Sequence, residues 1–446
     1  MAQRWPADLL ARSLAPLAAG TAGPEPGRPG VLWAAAGWPA AARGRLEAAG
    51  LAAAGLSGSR AAAPPLSPGG AAAALLVDGD FQLAATGTVT EREGDSLLAF
   101  GHPLFGLGPV SLPLAGAEVV AVVPSQAVSF KLANVGPAAG AWTFDHAAGM
   151  RGQVGLAAPQ LPVSVEVERA GGAAKPLALR IADHPLFTPG LAALGLVGAL
   201  DLAGAAVAQS LDLELLFRLG DGPPLAMRQS FDGPGATSDA LLWQLALHAY
   251  LALNPLAAVR VEALEVRAYP FAAPRGAAVI SAAPERTVVR PGERLGVEVV
   301  LAPHRRPVER RRLELALPAG LAPGRYPLWV GDGVSIDALR LALEPADPLT
   351  FGAARDLLAG LASRDELAAL LAVPARGVAA PGETLPRLPG TIQSLRGPGA
   401  GRGDEKLLRA AVVLHRREPA GRPLSGLVRL ELEVRATRLT EGRERP

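Results

Sequence analysis

The residues best placed to do chemistry lie in one short stretch. It runs from Gly87-Thr88-Val89-Thr90 through Gly94-Asp95 to Leu98-Ala99-Phe100-Gly101-His102-Pro103. An imidazole can take a proton from a serine hydroxyl when the two lie about 3 Å apart and an acceptor fixes the ring. Thr88, Val89 and Thr90 are β-formers, Glu91 to Asp95 is charged and carries a Gly-Asp turn, and Ser96 to Phe100 is strand-like again. The spacing predicts a hairpin that delivers His102 just past a strand end. Gly101 permits unusual backbone angles and Pro103 biases His102 towards an extended conformation, so the ring is constrained from both sides. The competing reading is a histidine that bonds a backbone carbonyl in a tight loop.

These residues resemble the SpoIVB-type serine peptidases, the family of the stage IV sporulation protein B peptidase, serine peptidase family fifty-five. Leu66-Ser67-Pro68-Gly69-Gly70 is similar to the family's entry segment, and Val77-Asp78-Gly79-Asp80 to its strand and turn. Ala85 to Pro103 resembles the block that carries its catalytic histidine. Leu107-Gly108-Pro109, Leu112-Pro113, Ser129 to Ala133, and Asp145 with Gly149 and Gly152 continue the likeness over residues 60 to 165. The resemblance implies that His102 is a general base, that Asp145 is a family-like acidic position, and that the setting is extracytoplasmic. It also implies a nucleophile in a Gly-Met-Ser-Gly-Ser-Pro type loop, and the chain is expected to start too late to contain it. The nearest match, Gly55-Leu56-Ser57-Gly58-Ser59-Arg60, makes Ser57 and Ser59 candidate nucleophiles, although its flanks read as a flexible linker. For Asp145 the alternative is an acid capping a turn before Gly149.

Composition removes several other chemistries. The chain has no cysteine, which excludes disulfides, thiolate metal sites and cysteine nucleophiles. Its six histidines form no His-x-x-x-His pair, so neither a metal site nor a cofactor is expected. The three lysines, Lys131, Lys175 and Lys406, close no phosphate-binding loop. A formal net charge of +2, with arginines matched by acids along the strands, argues against a nucleic-acid partner. The expected partner is a protein or peptide. Leu191 to Ala208 is the longest apolar run, broken by Asp201, and reads as a buried helix rather than a transmembrane segment. Met1 to Gly20 is interrupted by Asp8 and Arg12, and no signal peptide is recognised there.

Punctuation by proline and glycine suggests five segments, mainly β with α+β parts. Residues 1–60 form an Ala/Pro/Gly-rich segment. Residues 61–168 form a trypsin-like, β-barrel-type peptidase domain carrying the histidine half of a site. Residues 169–272 form an α+β domain whose helix, Thr237 to Leu253, stops at Asn254-Pro255. Residues 273–345 form an immunoglobulin-like β-sandwich. Residues 346–446 begin with a helix expected over Thr350 to Ala372 and close with a strand pair, Leu407 to His415 and Leu427 to Ala436. Two functions follow: a SpoIVB-like serine peptidase without independent activity as this chain, or a non-catalytic scaffold that binds an envelope protein.

Overall fold

A computed structural model describes residues 33–40, 42–44, 53–56, 64–123, 130–169, 172–173, 176–220, 222–385, 389–392 and 406–436, with backbone alone at 53–56 and near 130. Strand accounts for 54% and helix for 17% of the described residues, which are therefore mainly β. It divides into two compact units. One runs up to Ala226 and resumes over Thr237–Ala272; the other takes Met227–Ala236 and the chain from Ala273 on.

The first unit contains β1 (Trp33–Ala36), β2 (Ala53–Leu56), β3 (Ala71–Gly79), β4 (Gln82–Glu93), β5 (Ser96–Ala99), β6 (Gly108–Val123), β7 (Phe130–His146), β8 (Gly149–Val154), β9 (Gln160–Arg169), β10 (Gly172–Ala173) and β11 (Leu177–Ala182). Helix α1 (Thr188–Leu202) and β12 (Ser210–Leu219) follow. After β13 (Leu225–Asp232), which spans the division between the units, come α2 (Ala236–Leu253) and β14 (Val261–Phe271). Six of these strands close on themselves. β3 bonds β4, β4 bonds β5, β5 bonds β8, β8 bonds β7, β7 bonds β6 and β6 returns to β3, every pairing antiparallel. The result is a β-barrel, which leaves no open sheet edge where the ring is complete. Its buried side chains include Val89, Leu97, Leu112, Leu114, Trp142 and Met150. Trp142 donates its indole N–H to the Ala73 carbonyl at 3.0 Å, satisfying the one polar atom it brings inside. On the far side of β3 the sheet continues through β11, β9, β14 and β12.

β3 begins Ala-Ala-Ala-Ala, which favours helix by intrinsic propensity. It is a strand because Ala71 to Asp78 are all buried, on both faces of the sheet, where small side chains admit close neighbours. α1, expected as a buried helix in Leu191 to Ala208, runs over Thr188–Leu202 with Pro189 in its first turn. Among the described residues no helix is long and apolar enough to cross a membrane.

The second unit contains β15 (Ala277–Pro284), β16 (Val288–Val289), β17 (Arg294–Pro303), β18 (Glu309–Ala316), β19 (Gly324–Asp332), helices α3 (Gly333–Leu343) and α4 (Phe351–Ala359), β20 (Glu366–Ala380), β21 (Glu383–Leu385), β22 (Lys406–Pro419), β23 (Leu424–Ser425) and β24 (Leu427–Val434). Two sheets, β18-β17-β15-β23 and β16-β24-β19-β20-β21 with β22 on β20, enclose one core. That core joins Val297 and Val299 to Leu328, Leu371 and Leu432.

The helix expected over Thr350 to Ala372 is corrected here. Only Phe351–Ala359 is helical, capped by Thr350, whose hydroxyl accepts from the Ala353 amide at 3.2 Å, and ended at Gly360. Glu366–Ala380 is a strand. Leu367, Ala369 and Leu371 face the inter-sheet core, while Ala368, Leu370 and Ala372 pack with Ile336 of α3. Burial on both faces erases the alternation that marks a half-exposed strand and leaves a continuous apolar run. The two closing strands also form, but apart: β22 bonds β20 and β24 bonds β19.

Candidate functional site

The hairpin that presents the candidate base is built as its residues demand. β4 pairs with β5 up to Glu93 opposite Ser96, leaving Gly94-Asp95 as a two-residue turn with Gly94 at φ +56°. After β5 the backbone reverses through two residues at positive φ, Phe100 at +78° and Gly101 at +71°. Positive φ costs a bulky residue about 1–3 kcal/mol unless its surroundings hold it. Here they do. The Phe100 amide donates to the Thr88 carbonyl at 3.0 Å. The ring lies edge-on to Trp142, with centroids 5.5 Å apart, and occupies the space that Gly87 leaves. A Cβ at position 87 would come within 2.5 Å of that ring. Gly87 and Phe100 thus belong to one packing unit although twelve residues separate them.

His102 follows, half-buried, its ring edge-on to Phe100 at 5.8 Å. Its Nδ1 lies 2.9 Å from the carbonyl oxygen of Pro103. A carbonyl can only accept, so in this bond Nδ1 bears the proton and the lone pair of the neutral ring sits on Nε2. Nε2 has no hydrogen-bond partner among the described residues. The ring therefore has the tautomer of a base, oriented by a backbone carbonyl instead of a carboxylate.

Asp145, at the end of β7, has a different task. Its side chain is only 2% exposed, and its carboxylate accepts the amides of Leu104, Phe105, Gly106 and Leu107 at 2.8, 2.7, 2.7 and 3.4 Å. Four successive N–H groups wrapped around one carboxylate form a charge-assisted clamp on the loop that begins immediately after His102 and Pro103. The carboxylate makes no hydrogen bond to the imidazole. It holds the β5–β6 loop, 38 to 41 residues earlier, rather than the turn before Gly149. Ser57 and Ser59 lie outside the described residues.

Sequence reasoning missed Phe100 and the amides of Leu104 to Leu107 as parts of this site. Phe100 gave one signal, a bulky residue before Gly101-His102; the amides gave none, because every residue type carries one. Elsewhere, His248 of α2 is buried and lies edge-on to Phe217 at 5.6 Å, with burial holding its pKa down to about 4, so it is a neutral packing residue. Among the described residues no cluster of three or more His, Asp or Glu could hold a metal ion. No family model, curated protein or solved structure matches the chain.

Proposed function

We propose that residues 61–168, which hold the barrel of the first unit, are a SpoIVB-type serine peptidase domain of the trypsin-like barrel kind in which His102 is the general base. As this chain it engages a protein or peptide without hydrolysing it independently. The observation that carries the reading is the His102 loop: Nδ1 is tied to a carbonyl, Nε2 is left as acceptor, and the following loop is clamped by Asp145. A closed β-barrel with this loop between two of its strands is the kind of scaffold on which chymotrypsin-type triads are assembled. Catalysis would need a hydroxyl within hydrogen-bond reach of Nε2, and among the described residues none bonds it. In this reading residues 273–345 are an immunoglobulin-like sandwich and the setting is extracytoplasmic.

The test is hydrolysis of casein and of unstructured peptides by the purified chain. Turnover equal to that of His102→Ala is expected. Turnover lost in His102→Ala and also in Ser57→Ala or Ser59→Ala would make the Gly-Leu-Ser-Gly-Ser segment a working nucleophile loop and defeat the reading.

One observation favours the scaffold alternative, in which the domain binds an envelope protein and His102 has no catalytic part. The pairing of β3 with β6 ends at Ala117, and beyond it β6 pairs, among the described residues, with β7 alone. There Val119, Val120 and Val122 are 38, 58 and 60% exposed. A two-stranded ribbon apolar on successive residues offers both faces to a partner.

A further inference from the structure

The second unit holds a separate constellation, drawn from five segments of the chain. At the start of β15, where Ala277 pairs with Pro303 of β17 and with Leu424 of β23, there is a cavity of about 250 Å³. Its lining includes Asp232, Gly276, His304, Arg364, Pro423 and Ser425. The walls are fixed by backbone bonds between lining residues: Ala277 N–H to Pro423 O at 2.9 Å, His304 N–H to Gly276 O at 3.2 Å, and Leu424 N–H to Arg364 O at 2.8 Å.

On these walls the backbone is anchored, the Asp232 carboxylate is half-buried, and the side chains of His304, Arg364 and Ser425 are exposed. The Arg364 amide donates to Gln229 Oε1 at 2.7 Å, and its neighbours are anchored too, Ser363 Oγ to the same oxygen at 3.2 Å and Asp365 to Arg228 at 2.6 Å. The Arg364 guanidinium is exposed and makes no hydrogen bond or ion pair among the described residues. Asp232 accepts the Arg275 amide on Oδ1 at 2.8 Å, while Oδ2 lies so close to Gly276 that a Cβ there would come within 2.3 Å of it. Among the described residues, Oδ2, the His304 ring and the Ser425 hydroxyl have no hydrogen-bond partner. Glycine at 276 is thus the residue that lets a carboxylate stand in this wall.

A planar guanidinium matches a carboxylate with two parallel bonds. Asp232 in the same cavity disfavours a ligand with anionic charge alone and supplies an acceptor for a cationic one. The volume suits a molecule of about amino-acid or dipeptide size and is small for a nucleotide. We propose that this cavity binds a small zwitterion, a free α-amino acid or short peptide, with its carboxylate on Arg364 and its ammonium on Asp232. His304 and Ser425 are then the groups that read the rest of the ligand. The site does not depend on what His102 does.

Calorimetric titration of the full chain tests it, with free amino acids, dipeptides, N-acetyl amino acids, amino-acid amides and inorganic phosphate as probes. Binding of zwitterions is expected, weakened about tenfold or more when the ammonium is acetylated or the carboxylate amidated, and similarly in Arg364→Gln and Asp232→Asn. Comparison of amino acids with dipeptides reads which zwitterion the cavity prefers. Both variants keep the backbone contacts at these positions, and circular dichroism verifies that they fold. The proposal is overturned if no zwitterion binds at millimolar concentration, if the folded variants bind it undiminished, or if phosphate binds as well as the zwitterions do.

Discussion

Replacing Asp145 by alanine should loosen the loop after His102 far more than it disturbs the barrel. The carboxylate accepts three short backbone hydrogen bonds and one longer one. Bonds to a charged group contribute about 1.5–3 kcal/mol each, but the losses do not add in full. Leu104 is buried, so its amide would be left without water or partner; Phe105 is half-buried, and Gly106 is exposed and can be rehydrated. One desolvated donor at about 1–3 kcal/mol plus partial losses at the next two gives a net cost of about 3 kcal/mol. The assay is amide hydrogen exchange. If the clamp supplies that energy to local opening, protection of the Leu104, Phe105 and Gly106 amides should fall about a hundredfold, at roughly 1.4 kcal/mol per factor of ten. Asp145→Asn keeps one acceptor oxygen but turns an N–H₂ group towards backbone donors, so it should lie between wild type and alanine. A fall of less than about threefold in Asp145→Ala would refute the view that the carboxylate organises this loop.

Other outcomes follow from single contacts. Gly87→Ala should destabilise the first unit by at least about 1–3 kcal/mol, read from denaturant midpoints, because its Cβ would overlap the Phe100 ring. Leu371→Ala, at a position with no exposure in the inter-sheet core, should cost the second unit about 2–5 kcal/mol in the same measurement. His248 has a folded pKa of about 4 against an ordinary 6.5, so its stabilising effect is complete above pH 6.5 and is lost as pH falls towards 4. Its share of that loss is about 3 kcal/mol, and the pH dependence of unfolding between 6.5 and 4 should flatten by that order in His248→Leu.

The parts of this protein that were legible in its sequence are those written locally. Gly94-Asp95 between two β-forming runs specified the β4–β5 hairpin, and Asn254-Pro255 marked the end of α2, which stops at Leu253. β20 was not legible, because a strand covered on one face by a second sheet and on the other by α3 has no polar side to alternate with. The closure of the barrel rests on β3 pairing with β6 and β5 with β8, contacts between distant segments that no local pattern encodes. At the site, His102 stood out by its glycine and proline neighbours. The clamp on its loop did not, since an aspartate that binds four amides of a remote loop looks in sequence like any acid at the end of a strand. The Asp232, His304, Arg364 and Ser425 constellation was invisible for the same reason: its members come from four separate segments of the chain.

The most direct measurement is the tautomer of His102. Long-range proton–nitrogen spectra of ring-labelled chain, assigned by comparison with His102→Ala and recorded where the ring is neutral, distinguish a proton on Nδ1 from one on Nε2. The proposed base, oriented by the Pro103 carbonyl, requires the Nδ1–H form, with an unprotonated Nε2 whose resonance moves when a peptide is added. An Nε2–H tautomer, or an Nε2 resonance indifferent to every peptide tested, would contradict the assignment of His102 as the base of this site.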